Sequence, residues 1–479
     1  MATFPSKIPD EMYLYPYESP TPGRITVIAT GLQRDKGQVL SEEVFRNIVA
    51  CNFNLVSLIG SNEDGFKKTL ANTKGNIGVQ ATNYYLLPPH SDDNQDMELQ
   101  KAKDFYDAFK NFIPEDENGN PLDFEPIKAW SLKDEPVYKQ LADKTNGYNL
   151  HTIYNYIRSG ELARKNADQS KSLRPIQVNL VGAGEPKYME GILLEIATPD
   201  KELEKELKYQ IYLDAFESYN PSLWSYDLYP ISRNLEAEGA LRVKYNRFYK
   251  DLITFSRRAK ANSKVFWAYA QSMEFITSSG NTLYPAATVP YLRFEIFSAL
   301  AFGAQGIVYW TYQMRENTDE KYLSALIDMD FNKMPAWYAA QKVNAEIYAY
   351  SEVFVGSKLL GYTHVGNADT GYPVLDGDFG PIKYISATKI SGIGGSTSEE
   401  GLGALITRIR TNGSEFIVIV SHDVENSQQI RISFSPNAVI SGTKIDNTGK
   451  MVYVKMNSNI SHLMTLEPGG YLIFKHVNA

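Results

Sequence analysis

Two short stretches end in carboxylates placed where a folded chain could use them for general acid–base or nucleophilic work. Asp134-Glu135-Pro136 closes a segment that starts at Ile127, and Asp227-Leu228-Tyr229-Pro230 closes another apolar run. A third carboxylate, Glu274, lies a few residues beyond the run Val265 to Gln271. Between Ile127 and Glu135 the character alternates: Trp130 and Leu132 share one parity, and Ala129, Ser131, Lys133 and Glu135 share the other. Pro136 cannot extend a central ladder, so the strand stops there and leaves Glu135 at its carboxyl end. Asp-Glu-Pro is also ordinary turn composition, so the triplet gains meaning only from its setting. Lys133 shares parity with Glu135, and a cation beside a carboxyl lowers its pKa, which is the wrong direction for a proton donor. Either that lysine serves another carboxylate, such as Asp227, or it points elsewhere.

The elements needed to position these groups follow from the apolar periodicity. Eight apolar runs alternate with helical stretches: Arg24 to Ala29, Phe53 to Ile59, Ile77 to Thr82, Ile127 to Pro136, Pro175 to Val181, Leu223 to Leu228, Lys264 to Ala270 and Gly306 to Tyr312. The alternation predicts a parallel sheet with helical crossovers, and eight units close a (β/α)8 barrel. An open doubly wound sheet would show a glycine-rich phosphate turn after an early strand, and Gly31-Leu32-Gln33-Arg34 is no such turn. Gln271 to Ala287 reads as a loop, and Ala240 to Ala261 as one long helix.

Beyond the helix that begins at Pro335, the chain changes to short alternating segments with Gly, Ser and Asn turns. The expected organisation is a barrel over 1–354 and a β-sandwich over 355–479. No Pro-rich or Gly/Ser-rich linker separates them, so the sandwich is expected to be packed against the barrel. The segment Ser391 to Gly401 reads as a hairpin inside it.

Composition narrows the class. The chain has 479 residues, 43% hydrophobic and 22% charged, and contains no apolar run of membrane-spanning length. Its 48 basic and 56 acidic side chains, net charge −8, disfavour a nucleic-acid partner. Cys51 is the only cysteine, which excludes an intrachain disulfide. The six histidines lack metal-ligand spacing, so no cofactor is expected, although loop carboxylates could hold Ca²⁺. No basic-then-apolar signal segment is visible. With 32 Tyr among its aromatics the chain is well supplied with rings carrying a polar tip, which suit wet, sugar-like ligands.

Three motifs carry a resemblance. Asp134-Glu135-Pro136 after the fourth strand, Asp227-x-Tyr229-Pro230 after the sixth, and the run from Arg293-x-Glu295 to Tyr309-Trp310 into the eighth resemble the retaining TIM-barrel glycoside hydrolases. The similarity is to the β-galactosidase-like branch and its relatives in gut bacteria. Leu466-Glu467-Pro468-Gly469-Gly470-Tyr471 is similar to the last strand of the sandwich such enzymes append.

The resemblance implies a carbohydrate substrate and a carboxylate pair about 5 to 5.5 Å apart. It makes Glu135 the acid/base, with the nucleophile after strand seven. There Gln271 stands where the glutamate is expected, and Glu274 follows it. Three alternatives stay open: Glu274 swings in, the barrel works by another route, or it binds sugar without cleaving it. Candidate substrate contacts are Asn83 and Tyr84 after strand three, Asp134, Asp227, Tyr229 and Gln271, and the aromatic platform Trp310 and Tyr312. Glu295 inside the following helix reads as structural.

Overall fold

The computed structural model describes residues 17–32, 39–60, 62–82, 95–142, 149–183, 186–194, 200–236, 239–261, 263–315, 321–372, 379–391 and 395–477. The barrel strands are Thr26–Ala29, Leu55–Ile59, Gly78–Thr82, Ile127–Asp134, Ile176–Val181, Leu223–Asp227, Val265–Gln271 and Gly306–Trp310. They pair in parallel in sequence order, and the first closes on the eighth. All eight apolar runs of the sequence are barrel strands, and the crossover helices cover their outer faces.

The lumen is polar towards the carboxyl ends. Gln177 and Asn179 in the fifth strand alternate with Ile176, Val178 and Leu180, which face the helices, and all five side chains are buried. In the fourth strand the register against the fifth runs Trp130 with Ile176, Ser131 with Gln177, then Lys133 with Val178 and Asp134 with Asn179. Leu132 is the extra residue of a β-bulge, which resets the alternation beyond it. The simple parity over Ile127 to Glu135 therefore fails after Ser131: Asp134, not Lys133, falls into the lumen row with Asn179.

Behind the fourth strand, the Trp130 indole donates to the Glu161 carboxylate at 3.0 Å, and Arg174 and Arg164 bind that carboxylate at 2.5 and 3.0 Å. Glu161 is fully buried, and the two guanidiniums hold its carboxyl below its ordinary pKa despite that burial. Removing one partner of such a buried group costs about 3 to 5 kcal/mol. This cluster fixes the strand that carries Asp134 and Glu135.

The excursions after the last three strands build a second sheet over the mouth. Its order is Lys321–Ser324, Glu274–Ile276, Thr282–Tyr284, Ile231–Asn234 and Leu241–Val243. The expected loop from Gln271 to Ala287 thus contains two strands, and the helix expected from Ala240 starts at Tyr245 because Leu241–Val243 joins this sheet. Segments of three or four residues paired with distant partners leave little periodicity to read.

The C-terminal part is a sandwich of six-stranded and four-stranded antiparallel sheets around Ile406, Ile417, Ile419, Ile430, Ile432 and Phe474. It is docked on the helix Val289–Ala301. Tyr471 stacks on Phe297 with centroids 3.7 Å apart, and Arg293 bridges Glu346 at 2.6 Å and Glu467 at 3.0 Å. The Leu466 to Tyr471 motif is therefore the edge by which the sandwich meets the barrel.

Candidate active site

The lumen row of polar side chains leads to the carboxylates. Gln80 donates to Gln177 at 2.5 Å, Gln177 donates to the Ser225 hydroxyl at 2.8 Å, and Ser225 donates its single proton to Asn179 Oδ1 at 3.1 Å. With its oxygen engaged, Asn179 turns its amino group to the mouth, donating to Asp134 Oδ1 at 2.9 Å and Asp227 Oδ1 at 3.2 Å. One amide thereby sets the spacing of carboxylates from the fourth and sixth strands.

Glu135 follows directly. Its main-chain N–H continues the ladder to the Asn179 carbonyl at 2.8 Å, but its φ of +42° is left-handed, an unusual and strained conformation for a residue with a Cβ. The strand thus ends by turning the Glu135 side chain over the mouth, where the Tyr188 hydroxyl donates to its Oε2. Tyr188 comes from the loop after the fifth strand. The start of that loop is pinned by the buried Asp251, which accepts the Ala183 N–H at 3.1 Å.

The electrostatics follow from this crowding. Burial raises the Asp227 carboxyl far above its ordinary pKa, and the neighbouring charges of Glu135 and Asp134 raise it further. Burial also raises Asp134, opposed by Asn179, Lys133 and Arg315. Asp134 is ringed by protein but keeps an exposed edge, and solvent at that edge weakens the effect of burial. Lys133 is lowered by burial and opposed by Asp134, so its charge serves Asp134 rather than Asp227. Tyr229 and Tyr269 also lie within reach of these charges, which raise their hydroxyl pKa values after burial does.

One side of the mouth is aromatic. On the second sheet Phe275 stacks on Tyr284 with centroids 4.4 Å apart and on Tyr322 at 5.8 Å, and Tyr229 meets Phe275 edge-on at 6.5 Å. Trp310 ends the eighth strand, half-buried, with the Arg315 guanidinium 4.3 Å from its ring centroid.

The remaining sequence candidates are placed differently. Tyr312 is 1% exposed, packs edge-on against Phe53 and accepts the Trp337 indole N–H at 3.2 Å. It is core, with no face left for a ligand, because the chain turns inward after Trp310. Gln271 is buried: its amide nitrogen donates to the Pro285 carbonyl at 2.6 Å and its main-chain N–H to Glu295 at 2.8 Å. Glu274 stands on the second sheet opposite Ser324, whose hydroxyl donates to it at 3.3 Å. Asn83 and Tyr84 lie outside the described residues.

Asn179, Tyr188, Tyr269 and Arg315 were not singled out from sequence. Asn179 carried a signal, since Gln177 and Asn179 are polar at alternate places in an otherwise apolar strand. Tyr188 had none, because its role depends on how a loop folds back. Among the described residues no group of three or more His, Cys, Asp or Glu is placed to hold a metal, and no helix is long and apolar enough to cross a membrane.

No protein-family model and no curated protein matches the sequence. Solved structures do match the fold. A GH42 β-galactosidase from G. stearothermophilus, in the form of a catalytic mutant, superposes with a TM-score of 0.52 at 8% identity, over 96% of this chain and 100% of the other. A β-galactosidase from Bacillus circulans sp. alkalophilus gives 0.51 at 9% identity, over 95% and 99%. The chain is thus a TIM barrel with an appended β-sandwich, an architecture it shares over nearly its whole length with glycoside hydrolases. At these identities the likeness is one of fold.

Proposed function

We propose that the protein hydrolyses glycosidic bonds at the carboxyl end of the barrel, acting on an oligo- or polysaccharide with a pair of carboxylates. The observation that carries this is the pairing of Asp134 and Asp227 on the Asn179 amide, with Glu135 directly after Asp134 and held by Tyr188, at the barrel end where catalytic groups collect. The half-buried rings of Tyr284 and Tyr322, backed by the buried Phe275, support a sugar, since rings with a polar tip pack against its apolar face and remain wet at the edge. Retention of configuration is part of the proposal and rests on the resemblance carried by Asp134-Glu135-Pro136. The test is a screen of aryl glycosides and plant or host polysaccharides with the wild type and Glu135→Gln. Turnover that falls by about 10²-fold or more in the variant supports the proposal, and an active wild type unaffected by Glu135→Gln removes Glu135 from the chemistry.

A second reading, an inactive carbohydrate-binding barrel, is favoured by one observation. Where the resemblance expects a carboxylate after strand seven, Gln271 is buried with its amide nitrogen tied to Pro285. Oligosaccharide binding without turnover on any substrate, with activity gained by Gln271→Glu, would establish it.

A further inference from the structure

The seventh strand ends in a buried amide, and the carboxylate that follows it belongs to the sheet above the mouth. A two-carboxylate reaction beside Glu135 therefore needs its partner from another strand, and the sixth provides one. Asp227 ends that strand and shares the Asn179 amino group with Asp134, and the main-chain carbonyl of the same Asn179 accepts the Glu135 N–H at 2.8 Å. Two carboxyl groups on one amide, with Glu135 next to Asp134 in the chain, crowd like charges, and that crowding favours a proton held among them.

Its position follows from the donors. Glu135 accepts a hydrogen bond from the Tyr188 hydroxyl, which favours its ionised form. Asp134 receives Asn179 at the shorter distance, has Lys133 and Arg315 as opposing charges, and keeps an exposed edge. Asp227 has the longer Asn179 contact and sits more deeply, where burial and both neighbours favour the neutral acid.

Resting on the hydrolase reading, we infer that Asp227 and Glu135 are the reacting pair, with Asp227 carrying the proton and Glu135 ionised, so that the reaction runs between the fourth and sixth strands. The Asp227 hydroxyl protonates the glycosidic oxygen. The bond from that oxygen to the anomeric carbon breaks, its electron pair leaving with the alcohol, and a Glu135 oxygen supplies the pair that forms a glycosyl ester. Water then attacks the same carbon, gives one proton to the Asp227 carboxylate, and releases Glu135 as the ester bond breaks. This reverses the acid role that the resemblance implies for Glu135 and leaves Glu274 outside the covalent steps. Asn179 is a positioning residue.

The experiment treats the full-length protein with a panel of dinitrophenyl glycosides bearing fluorine beside the anomeric carbon, followed by digestion and mass spectrometry. In parallel, wild type and Asp227→Asn are assayed on activated and unactivated glycosides across pH. The expected result is a glycosyl label on Glu135. Asp227→Asn should lose about 10²- to 10⁴-fold on unactivated substrates and much less on dinitrophenyl glycosides, and it should lose the alkaline limb of kcat/KM. A label on Glu274 or Asp134 overturns the inference while leaving the protein a hydrolase. So does hydrolysis without a label and with inversion, or an Asp227→Asn loss equal on both substrate types with the alkaline limb unchanged. A wild type that neither turns over nor is labelled overturns the hydrolase reading together with the inference.

Discussion

The Glu295 carboxylate, buried in the helix after strand seven, accepts the main-chain N–H of Gln271 at 2.8 Å and so ties that helix to the end of the strand. Burial pushes this carboxyl up to about 8 from an ordinary 4.5, and Asp251 is pushed up to about 7 from 3.8 by the same cause. Both folded-state pKa values are raised, so the stability they contribute is fully present below the unfolded values and is lost as pH rises through the folded ones. For Glu295 the window is about 4.5 to 8, with a slope of about 1.4 kcal/mol per pH unit for one proton. Glu295→Gln keeps an acceptor for Gln271 and has no proton to lose. Its melting temperature should fall less than that of the wild type between pH 5 and pH 8.5, and parallel falls would show that Glu295 ionises freely in the fold.

Glu274 offers a sharp discrimination. The resemblance places a nucleophile after strand seven, where Glu274 is one of the open alternatives, whereas the chemistry inferred between Asp227 and Glu135 does not use it. Glu274→Ala should keep turnover within about tenfold of wild type. A loss of about 10³-fold or more, partly rescued by azide as a glycosyl azide of inverted configuration, would return the role to Glu274.

The aromatic wall should act on binding. Tyr322 is half-buried beside Phe275, and truncating it removes ring surface from the mouth without touching a carboxylate. Tyr322→Ala should raise KM by about 3- to 10-fold, equivalent to about 0.5 to 1.5 kcal/mol of ring stacking, with little change in kcat. A change confined to kcat would place the wall in another role.

Gly469 tests the docking of the sandwich. Its φ is +58°, and a Cβ there would lie 1.9 Å from the Pro290 carbonyl oxygen at the start of the docking helix. Gly469→Ala should cost about 2 to 4 kcal/mol through left-handed strain and overpacking. Deleting residues 356–479 should lower the melting temperature of the barrel, since it uncovers Phe297. A truncated barrel melting at the wild-type temperature would show that the interface contributes nothing.

The sequence by itself determined the barrel, because strands that face a layer of helices must be largely apolar and each is followed by a helical stretch, and each such run, from Arg24-Ala29 to Gly306-Tyr312, is one of the barrel strands. It also picked out Asp134, Glu135 and Asp227, since strand-ending carboxylates before Pro or Tyr-Pro are visible along the chain. Which of them meet was decided by tertiary structure. The bulge at Leu132 exchanged the faces of Lys133 and Asp134, and a one-residue register shift leaves no mark in the alternation that precedes it. Tyr312, a platform by its place at a strand end, is core instead, because the turn after Trp310 depends on contacts with Phe53 and Trp337 from remote parts of the chain. The sheet over the mouth, with Glu274 and the wall of rings, assembled from segments too short to carry a period, and only the closure of the barrel brought their ends together.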